Sequence, residues 1–236
     1  MKTAASAPAA LLAALFALAP AHAADRNIGI TSFDRIIVEG PYAVTVKTGR
    51  AVSARATGDL RGLDALSLTV DGQTLRIRSS GQAWGGFSDA KAGPIRIALT
   101  TPGLTTARVS GSGSLGIDRM RGAKVSVGVE GAGSVIVDRI DADRADLVMA
   151  GTGVLRVAGT AKAATATFRG SGTVDAAAFS ANDLELNSQG GAAVTIAASN
   201  SAKGNVSGTG DVTVLGGPAC AITSQGSGNL LCGAKR

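Results

Sequence analysis

Apolar residues recur at every second position around a repeated Gly-Xaa-Gly unit in the C-terminal half of the chain. Most units have apolar side chains two and four residues before the first glycine, and four and six residues after it. This alternation is typical of β-strands with one buried and one exposed face. Each unit therefore predicts two strands that meet at a glycine corner. The units begin at Gly111, Gly131, Gly151, Gly170, Gly190, Gly208 and Gly226, and the copy at Gly190 is degenerate.

The spacing of these units indicates stacked coils. Their first glycines are 18 to 20 residues apart, a period that is typical of repeat proteins. A V-shaped coil cannot bury its apolar face alone, so the coils must stack on one another. We expect a positive φ or close packing against the next coil at the glycines, because both exclude a Cβ. The sequence predicts an all-β, single-domain β-helix (a β-solenoid) with about seven regular coils over residues 104–236.

Residues 24–103 follow the pattern less regularly and are predicted to form an N-terminal cap. The apolar positions around Gly40 match the template of the later coils, so we predict that Gly40 marks an eighth copy and the first rung. Asp71-Gly72 separates two alternating runs and predicts a hairpin turn. Antiparallel pairing in this part would protect the end of the solenoid, because an open edge strand promotes aggregation.

Residues 1–23 have the features of a secretory signal peptide. Lys2 is followed by an apolar run over residues 9–19 and by the small-residue cleavage site Ala21-His22-Ala23. The apolar run is too short to span a bilayer, and no later stretch is long enough, so no transmembrane segment is predicted after cleavage. We therefore expect one exported domain, residues 24–236, in the periplasm or at the cell surface of a Gram-negative bacterium.

Composition excludes several classes of function for the cleaved chain. Cleavage would remove His22, the only histidine, and with it Ser-His-Asp or Cys-His catalysis and His-ligated metals. The formal net charge of +6 loses the one charge of Lys2. The remaining basic residues are scattered and do not alternate with aromatics, which argues against nucleic-acid binding. No cofactor is predicted.

The two cysteines are placed symmetrically about the last corner. Cys220 stands six residues before Gly226 and Cys232 six residues after it, both at inward positions. The strands of one coil face each other across a narrow core, and disulfides persist in exported proteins. We predict a disulfide that pins the last coil; the alternative is a pair of small buried thiols.

Two acid–base pairs are the first candidate site. Asp118-Arg119 and Asp138-Arg139 have the same offset in adjacent coils, so stacking would place like residues about 5 Å apart. Paired carboxylates beside arginines could bind a cation or a uronic-acid polymer, or act as acid and base on a sugar. The alternative is that both pairs lie on solvated turns and neutralise one another.

Two aromatic residues in a glycine-rich stretch are the second candidate. Trp84 and Phe87 could form a sugar-stacking platform or contact a partner. The alternative is an aromatic clamp that closes the end of the core.

Three parts of the chain together resemble a bacterial envelope family. They are residues 33–46, residues 71–77, and the Gly-Ser-Gly repeats that follow residues 95–97. These resemble the head GIN domain of auto-transporter adhesins. The resemblance implies an exported, β-helical protein of adhesin-like type and supplies no catalytic residues. No translocator barrel follows the last coil in this sequence, so we do not expect the protein to transport itself across an outer membrane.

These observations favour a non-enzymatic exported envelope protein with a binding, adhesin-like or scaffold role. The flat faces of the solenoid would bind an envelope glycan or protein. The alternative is a polysaccharide-binding or polysaccharide-degrading β-helix protein that uses the stacked Asp/Arg pairs. No pattern in the sequence predicts an oligomeric state.

Overall fold

The computed structural model describes residues 24–80 and 95–234. Of these residues, 75% lie in β-strands and 3% in helix, and the strands form a β-solenoid of about six turns. The predicted all-β solenoid is confirmed. In the regular part, the seven glycine corners from Gly111 to Gly226 are separated by six coils of 18 to 20 residues.

The strands divide into an irregular N-terminal set and a regular set. The N-terminal set is β1 (Ala24–Asn27), β2 (Arg35–Glu39), β3 (Ala43–Thr48), β4 (Ser53–Gly58), β5 (Leu66–Asp71), β6 (Thr74–Ser79) and β7 (Arg96–Thr101), with helix α1 (Leu60–Asp64) between β4 and β5. The regular set is β8 (Thr106–Gly111), β9 (Ser114–Ile117), β10 (Met120–Gly131), β11 (Ser134–Gly151), β12 (Val154–Gly170), β13 (Thr173–Gly190), β14 (Ala193–Gly208), β15 (Val212–Leu215), β16 (Ala219–Gly226) and β17 (Leu230–Ala234). All belong to one sheet.

The glycine corners stack directly on one another. Gly131 pairs with Gly151, and Gly151 pairs with Gly170. The first glycine of every corner has a positive φ, from +105° at Gly131 to +123° at Gly151. At the second glycines the packing itself excludes a side chain, since a Cβ on Gly153 would lie 2.4 Å from the carbonyl oxygen of Gly133. Both reasons expected for glycine at the corners are confirmed.

From β10 to β14, the rungs have three paired segments, whereas the sequence predicted two. We call the segment before the corner the first arm and the segment after it the second arm. A short third segment links them to the next rung and is also paired, with Met120 beside Ile140 and Ile140 beside Gly159. The register shifts here, for example between Val137 and Ile140. Bulges in the third segment therefore absorb the variation in rung length, and the corners stay aligned.

The core lies between the two arms and contains the residues that the alternation placed inward. The largest buried side chains in the regular part are Phe168 and Phe179, both fully buried. The buried columns of the first arm are Ala107, Val127, Leu147, Ala166 and Leu186 beside Val109, Val129, Met149, Phe168 and Ser188. Those of the second arm are Leu115, Val135, Leu155, Val174, Val194 and Val212 beside Ile117, Val137, Val157, Ala176, Ile196 and Val214.

The rung at Gly40 is the second rung of the stack, so the prediction that it is the first is wrong. Strands β2 and β3 pair on one side with β8 and β9, as the template predicted. On their other side they pair with β6 and β7, and Val38 lies beside Ile77. In the sequence, residues 80–95 separate β6 from β7, where the later rungs have a short Gly-Xaa-Gly unit. The first rung, which β6 and β7 form, therefore has no Gly-Xaa-Gly unit by which the sequence could have revealed it.

Antiparallel strands cap the N-terminal end, as predicted. β5 and β6 form a hairpin in which Asp71 pairs with Thr74, and Gly72 in the turn has a φ of +58°. On the other arm, β4 pairs antiparallel with β7, and β1 with β4. Helix α1 adds Leu63, which is 2% exposed, to the core. The cap covers the apolar end of the stack at this side.

The predicted disulfide between Cys220 and Cys232 is present. It joins β16 to β17 across the terminal rung, with 6.4 Å between the Cα atoms. It closes a chain segment with a sequence separation of 12 residues. The bond therefore holds the two arms of the last rung together, as the spacing of the cysteines about Gly226 indicated.

Reduction of this disulfide is expected to loosen the terminal rung selectively. A loop of this size contributes about 3 kcal/mol in the chain-entropy account, and a terminal rung opens locally before the whole domain unfolds. Hydrogen exchange should therefore become faster in β16 and β17 of a Cys220→Ser/Cys232→Ser variant, while the exchange of β11 and β12 stays unchanged. Equal acceleration along the whole solenoid would contradict this assignment.

Candidate functional site

The predicted acid–base pairs lie where the second arm turns into the third segment. One of their two carboxylates, that of Asp118, accepts several hydrogen bonds. Oδ1 of Asp118 accepts hydrogen bonds from the backbone N and Oγ1 of Thr48, at 2.9 and 3.0 Å, and from the backbone N of Arg119 at 2.7 Å. Asp118 therefore ties the regular solenoid to β3. Asp138 and Arg139 are exposed. The use of these four residues for glycan binding stays a prediction.

The other sequence-based candidates give no assembled site. Trp84 and Phe87 lie outside the described residues, so their roles stay predictions. Over residues 24–80 and 95–234, no group of three or more His, Cys, Asp or Glu side chains could hold a metal ion. In the same part of the chain, no helix is long and apolar enough to cross a membrane.

The third segment carries an open polar depression of about 430 Å³. Ion pairs between rungs cross it, with 2.7 Å between Arg121 and Asp141 and 2.7 Å between Lys162 and Asp143. These four side chains are exposed or largely so, and exposed ion pairs contribute little to stability. Because its main charges are already paired, this depression is a weak candidate for a charged ligand.

The polar side continues toward the C-terminus as hydrogen bonds between rungs. Asp183 accepts hydrogen bonds from Nδ2 of Asn200 at 2.7 Å and from Oγ of Ser201 at 2.6 Å. These two bonds, that of Ser201 first, lower the pKa of Asp183. Asp183 and Asn200 are exposed and Ser201 is half-buried. Their polar groups bind one another, so the side chains on this side connect neighbouring rungs.

An apolar groove of about 510 Å³ lies on the outer face of the second arm, and we call it the second-arm groove. It forms because outward positions on neighbouring rungs are small: Ala98 pairs with Thr45, and Thr45 with Gly116. The next residue in this column is Ile136, beside Gly116, which is 40% exposed and closes one side. The full lining is Ala43, Val44, Thr45, Arg55, Thr57, Arg96, Ile97, Ala98, Ser114, Leu115, Gly116, Ser134 and Ile136.

The two sides of the groove differ in charge. Arg55 is held by Asp25 through its Nε and Nη2 atoms, and this contact raises the pKa of Arg55 and lowers that of Asp25. Arg96 is exposed and has no ion-pair partner among the described residues. On the opposite side stands Ile136. One rung further, Val154, which is 39% exposed, pairs with Ser134, and Arg156 pairs with Ile136. The guanidinium of Arg156 forms an ion pair with Asp175 at 3.0 Å. The groove therefore offers an apolar surface next to a positive charge.

Sequence reasoning missed this groove. Its residues come from separate stretches at 43–45, 55–57, 96–98, 114–116 and 134–136, and only the stacking brings them together. The available signal was the small outward residue three positions after the second glycine. It is Gly116 in its rung, whereas the next two rungs have Ile136 and Arg156 at this position.

The fold and this surface define a class: a parallel β-solenoid that offers extended outer faces for binding, as repeat proteins do. Within that class, the chain belongs to the family described as "Putative auto-transporter adhesin, head GIN domain", whose model matches residues 32–218. The resemblance seen in the sequence is thereby confirmed.

Solved structures show the same fold. A "putative adhesin" from Bacteroides fragilis is 20% identical, with a TM-score of 0.79 over 90% of this chain and 97% of that chain. A "putative lipid binding protein" from Parabacteroides distasonis is 21% identical, with a TM-score of 0.72 and the same coverage. A "putative adhesin" from Parabacteroides merdae is 14% identical, with a TM-score of 0.66 and again the same coverage. No curated protein matches the chain.

Proposed function

We propose that this chain is a non-enzymatic exported protein of the cell envelope with an adhesin-like role, and that it binds its partner in the second-arm groove. The family supports a binding role. The groove on a flat face of the solenoid is the observation that carries the proposal. Export is supported by the predicted signal peptide at residues 1–23, which lies outside the described residues, and by the family.

The chemistry of the groove indicates what the partner presents. Contact with Ile136 and Val154 would remove apolar surface from water, which favours association. Arg96 would favour an anionic group at the other side of the groove, because opposite charges attract most strongly where water is excluded. The partner is therefore an envelope molecule with an apolar segment next to an anionic group.

Charge introduced on the apolar side is expected to weaken binding strongly. An Ile136→Glu/Val154→Glu variant places two carboxylates where apolar contact is proposed, and binding to envelope fractions should fall about tenfold or more, since burying an unpaired charge is costly. Co-sedimentation of the labelled protein with outer-membrane vesicles, and separately with peptidoglycan sacculi, measures this loss and distinguishes a membrane-borne partner from the cell-wall polymer.

A matched control lies on the first arm. Val148 is a half-buried valine at an outward strand position beside Gly128, far from the groove lining. Val148→Glu should keep wild-type binding. The proposal fails if neither fraction binds the wild-type protein, or if the groove variant and the Val148 variant bind alike.

A further inference from the structure

Antiparallel strands close the N-terminal end of the solenoid. At the C-terminal end, the terminal rung has two strand edges with no partner among the described residues. β16 pairs with β14, and β17 pairs with β15. No strand among residues 24–80 and 95–234 pairs with the other edge of either one. Such an edge presents unpaired N–H and C=O groups, which readily accept another strand.

The core is also open at this end. Ile222, Leu230 and Cys232 stand at inward positions of the terminal rung, but they are only partly buried, and Cys220 is exposed. One rung earlier, Val206, Val212 and Val214 are 6%, 1% and 0% exposed. Apolar surface that the next rung would cover elsewhere in the solenoid is therefore accessible here.

The described residues of the terminal rung lack the charges that usually protect an edge; Lys235 and Arg236, which follow β17 in the sequence, lie outside the described residues. Residues 212–234 contain no Asp, Glu, Lys, Arg or His. The N-terminal end has antiparallel strands and exposed ion pairs, including Arg26 with Asp64 at 2.7 Å. Natural edge strands are commonly blocked by charged side chains, above all lysine. This contrast indicates that the N-terminal end is protected against strand pairing and that the C-terminal end is able to pair with a further strand.

We infer that the terminal rung is a docking surface for a second copy of this chain, related by a two-fold axis so that the two solenoids meet end to end. A two-fold contact places the same surface on both partners, so a charged patch would oppose itself. The paired strands β16 and β17 carry no charged side chain, so they meet their own copies without this repulsion. The contact would continue the sheet across the interface and cover the open core of both copies.

The spacing of the two edges favours a second copy over a single peptide. The disulfide between Cys220 and Cys232 joins β16 to β17 and fixes the edges relative to each other. A second terminal rung has the same two edges at the same spacing, so both are paired at once. An added single strand would pair with one edge and leave the other edge and most of the open core in water.

Lysines on the outward face of the terminal strands should weaken the dimer. Thr223 on β16 and Leu231 on β17 are exposed and point away from the core, so Thr223→Lys/Leu231→Lys leaves the inward packing intact. Whichever strands meet in the dimer, lysines of the two copies come close, and like charges on adjacent strands oppose pairing. The dissociation constant should rise about tenfold or more. Sedimentation velocity over a range of concentrations measures it.

The matched control is a variant that introduces two lysines at the equivalent positions one rung earlier. Asn205 pairs with Thr223 and Thr213 with Leu231, so Asn205→Lys/Thr213→Lys occupies the same columns. Each copy's lysines then lie about 4.8 Å further from the interface, which adds about 10 Å across the dimer, beyond the screening length of about 8 Å at physiological salt. This variant should dimerise like the wild type.

Hydrogen exchange of the unaltered chain gives an independent test that does not depend on how the variants fold. Amides of β16 and β17 should exchange more slowly at high than at low protein concentration, while those of β1 and β5 at the capped end should not change. A monomer at about 100 µM overturns the proposal, since dimer formation follows mass action. So does a dimer whose protected amides lie outside the terminal rung, or one that the edge lysines leave unchanged.

Discussion

Gly151→Ala is expected to destabilise the solenoid by about 3–5 kcal/mol, a loss that few single substitutions of this size produce. Gly151 has a φ of +123°, which an L-residue with a Cβ rarely adopts. The added Cβ would also lie 2.4 Å from the carbonyl oxygen of Gly131 and 3.0 Å from its carbonyl carbon. Those atoms are backbone and belong to the rung below, so neither rung can move without breaking bonds between them.

Equilibrium urea unfolding followed by circular dichroism and fluorescence measures this loss. Thr152, the exposed middle residue of the same corner, gives the control. Thr152→Ala should change the free energy of unfolding by no more than about 0.5 kcal/mol, as surface substitutions usually do. A Gly151→Ala variant as stable as the Thr152→Ala variant would show that the corner does not need glycine.

Phe168→Ala is expected to cost about 3–5 kcal/mol through the cavity that it leaves. Phe168 is fully buried and stacks between Met149 of the preceding rung and Ser188 of the following one. Strands on both sides hold its backbone in register, so the rungs cannot collapse into the space. Ser188 above it is too short to fill the gap.

Two control variants separate the cavity from other effects of substitution on β12. Phe168→Leu keeps most of the apolar volume and should cost clearly less, about 1–2 kcal/mol. Thr167→Ala removes the neighbouring outward side chain and should be close to neutral. The same unfolding measurement applies to all three. A similar loss from Phe168→Leu and Phe168→Ala would show that ring shape matters here more than volume.

Much of the regular solenoid was predictable because each rung repeats the same local requirement. Gly111 and its six equivalents mark corners, and the alternating residues around them, such as Val129 and Val135, mark the inward face. Stacking then follows, since no rung can bury that face alone. Cys220 and Cys232 could be paired by the same reasoning, because their offsets from Gly226 are equal and opposite.

Glycines outside the corners were not predictable from the repeat. Gly159 has a φ of +120°, and a Cβ there would lie 2.1 Å from the carbonyl oxygen of Ile140. Gly204 occupies an inward position where the other first arms carry larger residues, and its Cβ would lie 1.8 Å from the carbonyl oxygen of Leu186. An isolated glycine in a strand indicates close approach of another backbone. The partner becomes visible only with the register.

The candidate site was less predictable than the fold because it depends on contacts between distant parts of the chain. Asp118 and Asp138 have the same sequence offset, but only Asp118 meets Thr48, which lies 70 residues earlier. Ile136 and Arg96 border one groove although 40 residues separate them in sequence. Offsets within the repeat predict columns of residues and do not predict which columns stand next to the irregular cap.

The alignment of the corners has a mechanical consequence. The hydrogen bonds between rungs run along the solenoid axis, so a pull on the terminal rung along that axis opens them one rung after another. Each step frees 18 to 20 residues, or roughly 60–70 Å of extended chain. The disulfide shortens the first step because the loop between Cys220 and Cys232 stays closed. Under tension such a molecule lengthens in nearly equal increments, and the rungs not yet reached keep their shape.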